Sequence, residues 1–185
     1  MTQTRRIDLN CDLGEAITPE QLDVEAHLMA HVTSVNIACG AHAGDAALMR
    51  HTVRMAHQHQ LAIGAHPGLP DRESQGRREH ALPPTFVEEL IVSQVGTLMA
   101  ISQEEGVSLT HVKPHGALYN MAARDRVVAD AGQARVGGQK LELIADEGVA
   151  LTWVSHFNAR LAALSAEKFI EHILIDTLCV KHLII

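Results

Sequence analysis

A chain of 185 residues with 46% hydrophobic and 20% charged residues has the composition of a soluble globular protein with one sizeable core. Its formal net charge of −7, without a basic stripe, excludes the charge pattern of a nucleic-acid-binding protein. The three cysteines are scattered, as is typical of a reducing compartment, and no apolar run is long enough to span a bilayer. We therefore expect a cytoplasmic protein without a nucleic-acid or membrane partner.

Short apolar runs typical of strands alternate with longer helical patterns over the first 131 residues. The predicted strands cover residues 6–11, 34–39, 61–66 and 110–115, and the predicted helices cover 18–32, 46–60, 85–105 and 117–131. Thr18, Pro19 and Gln21 supply the N-cap, a first-turn proline and a capping-box partner for the first helix. Strands that alternate with helices indicate βαβ units and a parallel sheet. The loop at 67–84 is longer than the usual connection, which suggests a function.

Polar residues alternate with apolar ones along the predicted strands. Because alternate side chains of a strand point to opposite faces, the polar residues share one face. This polar set comprises Asp8, Asn10, Asp12, Asn36, His66, His111, Lys113 and His115. Helices normally cover both faces of a parallel sheet, whereas a closed barrel leaves an interior for a polar set. The sequence therefore predicts an α/β fold, a parallel (β/α) barrel with a polar site at the carboxyl ends of its strands. An exposed amphipathic sheet is the alternative.

The polar residues at or just beyond the predicted strand ends are the candidates for chemistry. They include Asn10, Asp12, Glu15, Asn36, His42, Asp45, His66, Lys113 and His115. Carboxylates and imidazoles that converge can act as general acids and bases, and they can equally bind a divalent metal such as zinc. The spacing does not decide between these uses. The ammonium of Lys113 counts against a tight cation site and favours an anionic substrate group or a developing oxyanion. Asp45 has helix capping as an alternative role.

Five motifs, in this order along the chain, carry a resemblance to a known family. They are DLNCDLGE, NIACGAHAGD, GAHPG, PDRE followed by GRR, and HVKPHGALYN. This set resembles the LamB/YcsF family, which supplies the A component of the bacterial 5-oxoprolinase complex. The resemblance implies a TIM-barrel-related fold of the glycoside hydrolase and deacetylase type. It also implies opening of the 5-oxoproline lactam to L-glutamate, with ATP as co-substrate and subunits B and C as partners. No phosphate-binding motif in this chain marks where ATP binds.

The resemblance, together with the placement at strand ends, leads to a hypothesis about roles. Asp12, His42, Asp45 and His66 are expected to form the acid/base group. Lys113 and His115 are expected to stabilise charge on the substrate or on the activated oxygen. The expected substrate-binding residues are Asn10, Asn36 and Arg77.

The sequence departs from the family pattern after residue 131. We expect residues 1–131 to form the family-like barrel portion and residues 132–185 to be a divergent tail, from a shifted reading frame or a truncation, so that the barrel is incomplete at its carboxyl-terminal end. The run VALTWV at 149–154 is a predicted fifth strand. Two alternatives therefore stay open: a stand-alone metal-dependent amide or acetyl hydrolase, and an inactive remnant that retains partner binding.

Overall fold

The computed structural model of the chain describes residues 8–133 and Lys168. The chain divides into two compact units, Met1–Ala150 and Leu151–Ile185. All elements named below belong to the first unit. The predicted strand at 149–154, and the predicted tail apart from residues 132, 133 and 168, lie outside the described residues.

Four parallel strands and five helices alternate along the described chain. The order is β1 Asn10–Leu13, α1 Pro19–Met29, β2 Ser34–Ala38, α2 Ala46–Gln58, β3 Ala62–His66, α3 Pro84–Glu104, β4 His111–Val112, α4 Gly116–Arg124 and α5 Arg126–Gln133. The sheet has the order β1-β2-β3-β4, and every neighbouring pair is parallel. Each strand is thus added on the same side of the last, without the reversal of direction that defines a doubly wound sheet. This α/β fold with a parallel sheet is consistent with the predicted (β/α) barrel.

The first helix begins as its sequence predicts. The side chain of Thr18 accepts from the backbone N–H of Gln21 at 3.3 Å, and the Gln21 side chain accepts from the backbone N–H of Thr18 at 3.2 Å. Pro19 occupies the first turn. This reciprocal capping box satisfies two backbone donors that a helix start leaves without partners.

Two predicted elements near the carboxyl-terminal end of the described segment were wrong in extent. β4 covers two residues rather than the predicted 110–115, because Pro114 lacks the amide hydrogen that a strand ladder requires. The helix predicted over 117–131 is two helices, since Asp125 adopts an extended conformation between them. Its carboxylate accepts from the backbone N–H of Val127 at 2.8 Å and so caps α5.

Two apolar clusters flank α3. The first packs the sheet against α2 and α3 and includes Leu13, Val35, Ile37, Val53, Ile63 and Leu98. The second lies among α3, α4, α5 and the loop after β3 and comprises Leu69, Val87, Ile91, Ala117, Leu118 and Val128. Among the described residues, α3 alone has the length and mean hydropathy, 1.2, of a membrane span. Because it contributes to both clusters, it packs as the core helix of a soluble protein does.

The sheet has one apolar and one polar face, as the alternation in the sequence predicts. Val35, Ile37 and Ile63 belong to the core on the helical side. On the other face the strand register pairs Asp12 with Asn36, Asn36 with Gly64 and Gly64 with His111. These four residues form a row across the sheet, and the row places the candidate site.

Candidate functional site

Asn36 is the hub of a hydrogen-bond network on the polar face of the sheet. It is fully buried, its Nδ2 donates to Oδ1 of Asp12 at 2.8 Å and also to Oδ1 of Asn10, and its Oδ1 lies 2.7 Å from Nε2 of His111. Asn10 in turn donates to Oγ of Ser34 at 2.7 Å. The network explains why strands carry amides here, because a buried amide is stable only when its donors and acceptors are paired. Asn36 therefore holds other side chains in place.

Gly64 allows this network to cross the sheet. The ring of His111 lies directly over Gly64 to reach Asn36, and a Cβ atom at position 64 would overlap that ring. A glycine in the middle of a buried strand normally weakens the strand. Here it provides the space through which the fourth strand contacts the second.

Asp12 and Lys113 form an ion pair at the end of the row. The Lys113 ammonium donates to both carboxylate oxygens of Asp12, at 2.6 and 2.8 Å, and both side chains are about a third exposed, 37% and 35%. Oδ2 of Asp12 also lies 3.3 Å from Nε2 of His66. The positive charge of Lys113 is thus paired with Asp12, while its exposed fraction leaves it accessible from solvent.

Three imidazoles and a carboxylate converge beside this ion pair, in a group that we call the imidazole cluster. Its members are Glu15, His42, His66 and His115, and each offers one ligand atom within 4.8 Å of the others. The three rings are buried, and those of His42 and His115 are stacked with their centroids 4.0 Å apart. Oε1 of Glu15 lies 3.3 Å from Nε2 of His42 and 3.8 Å from Nδ1 of His115. The cluster unites side chains from four separate segments.

The surroundings of these groups fix their charge. Burial raises the pKa of the Asp12 carboxyl, but hydrogen bonds and charges from His66 and Lys113 outweigh it and hold that pKa well below its usual range. The hydrogen bond with His42 lowers the pKa of Glu15, against the effect of burial. Burial, aided by His42, lowers the pKa of His115 to about 4. Both carboxylates are therefore ionised, and His115 is neutral, near pH 7.

Two residues outside the cluster hold the loops that carry it. The Glu25 carboxylate on α1 accepts from three consecutive backbone N–H groups, those of Gly14, Glu15 and Ala16, at 2.9, 3.0 and 3.0 Å. The Arg72 guanidinium donates to two backbone carbonyls of the loop around His42, at 2.7 Å to Gly40 and also to Gly44. Such contacts fix a side chain by fixing its backbone.

The structure brings together most of the predicted site residues. Asn10, Asp12, Asn36, His42, His66, Lys113 and His115 all belong to the network, the ion pair or the imidazole cluster. Asp45 is exposed, and its side chain accepts from the backbone N–H of Leu48 at 2.8 Å, so the structure gives it the alternative role of α2 N-cap. Arg77 is exposed and donates to the side chain of Gln75 at 2.6 Å, which places it beside the cluster.

Sequence reasoning gave no role to Glu15, Glu25 or Gln75. Glu15 follows Asp12 in the first motif, and this proximity was the available signal. Glu25 lies ten residues further on, within a helix, where no local pattern marks it. Gln75 contributes its backbone carbonyl, which lies 2.8 Å from Nε2 of His115, from a left-handed conformation with φ 52°. A backbone contact of this kind does not depend on the side chain, so composition cannot reveal it.

The two described cysteines are unsuited to nucleophilic chemistry. Burial raises the pKa of Cys11 to about 11 and that of Cys39 to about 12. A thiol of this kind is not ionised near pH 7, and the thiolate is the nucleophilic form. The chemistry of the site therefore rests on its imidazoles, carboxylates and ammonium, which can transfer protons, stabilise an oxyanion or bind a cation.

The fold and the site together define a class of protein. Parallel βα units added in chain order, with an imidazole and carboxylate centre at the carboxyl ends of the strands, are the arrangement of a (β/α)-barrel enzyme. The sequence matches the LamB/YcsF family over residues 7–171, and the chain belongs to that family. The family resemblance in the motifs is thereby confirmed.

Relatives and a solved structure agree with this assignment. The A component of 5-oxoprolinase from Geobacillus kaustophilus is 55% identical over 69% of this chain and 49% of the relative, and that of Bacillus subtilis is 49% identical over 68% and 49%. A crystal structure of the lactam utilization protein from Thermus thermophilus matches with a TM-score of 0.66 and 44% identity, over 69% of this chain and 51% of that one. The chain spans about half the length of these proteins.

Proposed function

We propose that this chain acts as the A component of a cytoplasmic, ATP-dependent 5-oxoprolinase, which hydrolyses 5-oxo-L-proline to L-glutamate together with subunits B and C. The observation that carries the proposal is the family match over residues 7–171, which spans every residue of the polar row and the imidazole cluster. Relatives named as the A component of 5-oxoprolinase support it at about half sequence identity, for example 55% and 49%.

The chemistry of the reaction explains why such a site suits it. A lactam is a poor electrophile, because nitrogen donates electron density to the carbonyl carbon. Transfer of the terminal phosphoryl group of ATP to the carbonyl oxygen would give a phosphorylated imidate, whose carbon accepts water more readily. The ring C–N bond then breaks as the nitrogen takes up a proton, and a second water releases phosphate from the acyl phosphate. Each water needs a base, and the nitrogen needs an acid.

The roles that we propose follow from the contacts of the site. Asp12, His42 and His66 supply the acid and base groups, because imidazoles and ionised carboxylates are adjacent there. The partly exposed ammonium of Lys113 stabilises negative charge on the substrate or on the activated oxygen, and His115 assists it. Asn10 lies on the same face of the sheet and is exposed enough to contact a substrate, whereas the buried Asn36 holds its neighbours.

The direct test is turnover in the assembled complex. The chain would be produced with subunits B and C of the same organism, and formation of L-glutamate from 5-oxoproline would be measured with and without ATP. We expect ATP-dependent turnover that Lys113→Ala largely abolishes, while Arg126→Ala, at a side chain 92% exposed, leaves it unchanged. Absence of turnover by the unmodified complex, or near-normal turnover of Lys113→Ala, would overturn the function or the role of Lys113 respectively.

The imidazole cluster favours a second candidate, a stand-alone metal-dependent amide or acetyl hydrolase. Three histidines and a glutamate within 4.8 Å are a common donor set of catalytic zinc sites. This candidate predicts amide or acetyl hydrolysis by the purified chain alone, without ATP. If instead the chain co-purifies with subunits B and C but no turnover is seen in either assay, the third interpretation holds, a remnant that retains partner binding.

A further inference from the structure

The imidazole cluster contains more hydrogen-bond acceptors than its protons can satisfy. Nδ1 of His66 lies 2.6 Å from the backbone carbonyl oxygen of Lys113, and Nε2 of His115 lies 2.8 Å from that of Gln75. A carbonyl oxygen only accepts, so each of these outward ring nitrogens must carry the hydrogen. The two carbonyls thereby fix which tautomer each neutral ring adopts, as partners of metal-bound histidines do.

The inward nitrogens of the same two rings then face each other as lone pairs. Nε2 of His66 and Nδ1 of His115 are 2.9 Å apart. Around them lie further acceptors: Oδ2 of Asp12 is 3.3 Å from the first nitrogen, and Oε1 of Glu15 is 3.8 Å from the second. Lone pairs and negative charge at such distances repel unless a positive species lies among them.

His42 gives an independent sign of the same need. Its side chain is fully buried, yet its Nδ1 has no hydrogen-bond partner among the described residues. Its only polar contact there is from Nε2 to the Glu15 carboxylate, at 3.3 Å. Buried polar atoms are nearly always paired, and one that is not commonly belongs to a ligand or ion site. His42 is therefore held in the cluster with less than its ordinary set of partners.

The distances suit a metal ion. Four ligands at zinc bond lengths of about 2.0–2.1 Å around a tetrahedron lie about 3.3 Å from one another. The separations of 2.9, 3.3 and 3.8 Å in the cluster lie on either side of that value. Imidazole donors with a single carboxylate favour zinc and its neighbours over magnesium or calcium, which prefer oxygen ligands throughout. The charge of Lys113, which counted against a cation in the sequence, is paired with Asp12.

We infer that Glu15, His42, His66 and His115 bind one divalent transition-metal ion of the zinc class. The site is independent of the reaction proposed above, and it holds for an ATP-dependent lactamase and for a stand-alone hydrolase alike. Once bound, the ion would offer Lewis-acid chemistry, and the four side chains would lose their mutual repulsion.

The test measures metal binding rather than turnover. The purified full-length chain would be stripped with a chelator, then titrated with Zn²⁺ in competition with a chromophoric chelator, and separately loaded with Co²⁺. We expect one tight equivalent of Zn²⁺ and the intense visible absorption of tetrahedral Co²⁺. We further expect His115→Ala to weaken Zn²⁺ binding by at least about 100-fold, because even outer-shell changes weaken it roughly 10–100-fold.

A matched control separates a built site from adventitious binding, since the chain has 13 histidines. His57→Ala removes an exposed imidazole on α2 and should leave the tight equivalent intact. If His115→Ala fails to fold, the Co²⁺ absorption of the unmodified chain still decides. Weak binding only, equal loss in both variants, or octahedral Co²⁺ alone would overturn the inference. The positive species would then be a proton shared between two rings.

Discussion

Substitution of Asn36 by aspartate should destabilise the protein strongly and in a pH-dependent way. Nδ2 of Asn36 donates to the Asp12 carboxylate at 2.8 Å, and the new carboxylate would place an acceptor where that donor stands. At an effective dielectric constant near 20, two unit charges at this distance repel by about 6 kcal/mol. The residue is fully buried, so the new group has no solvent to turn to.

Protonation sets the upper limit of this loss. A carboxyl with an ordinary pKa near 3.9 can be kept neutral at pH 7 for about 4 kcal/mol, so the variant would take up a proton rather than bear the full repulsion. We therefore expect the free energy of unfolding to fall by about 2–4 kcal/mol at pH 7. Because the repelling carboxyl has a raised pKa in the folded state, the deficit should shrink as the pH is lowered.

The assay is urea denaturation of the variant and of the unmodified chain at pH 7 and at pH 5. Asn120→Asp, on the exposed side of α4, adds the same charge where it meets solvent and should change the free energy of unfolding by less than about 0.5 kcal/mol. A loss for Asn36→Asp that is equally small, or that does not vary with pH, would refute the reasoning that Asn36 is pressed against an ionised Asp12.

Two further substitutions test how the site is held. Glu25→Ala removes the acceptor for three backbone N–H groups of the loop that carries Glu15, and we expect a stability loss of about 1–3 kcal/mol with weaker zinc binding, both less marked in Glu25→Gln. Gly68→Ala would place a methyl carbon against Nδ1 of His42, 2.9 Å from Cγ, so the Co²⁺ absorption should be lost; Gly96→Ala, where nothing lies within 4 Å, should retain it. Unchanged metal binding in Glu25→Ala or Gly68→Ala would count against these contacts.

The sheet and its polar face could be predicted because the alternation of side chains along a strand is a local property of the sequence. The polar character of Asp12, Asn36, His66 and Lys113 at alternate positions indicated a shared face before any contact was known. The motif order indicated the family, and the family match confirmed it. What the sequence supplied was therefore the set of residues and the face on which they lie.

The contacts that complete the site could not be predicted, because they join residues distant in the chain. Glu25 acts through the backbone of another segment, and Gln75 acts through a carbonyl that any residue possesses. The length of β4 was predicted wrongly because the pattern of alternation continued through Pro114, whereas hydrogen bonding of the ladder did not. Asp45 fits both a cap and a catalyst by residue type, and its contact with Leu48 is that of a cap.

The most direct measurement is anomalous diffraction at the zinc absorption edge from crystals of the unmodified protein grown with stoichiometric Zn²⁺. The account predicts one strong peak about 2.0–2.2 Å from ring nitrogens of His42, His66 and His115 and from a carboxylate oxygen of Glu15. Peaks confined to surface histidines, or side chains of these four residues that do not meet, would contradict it.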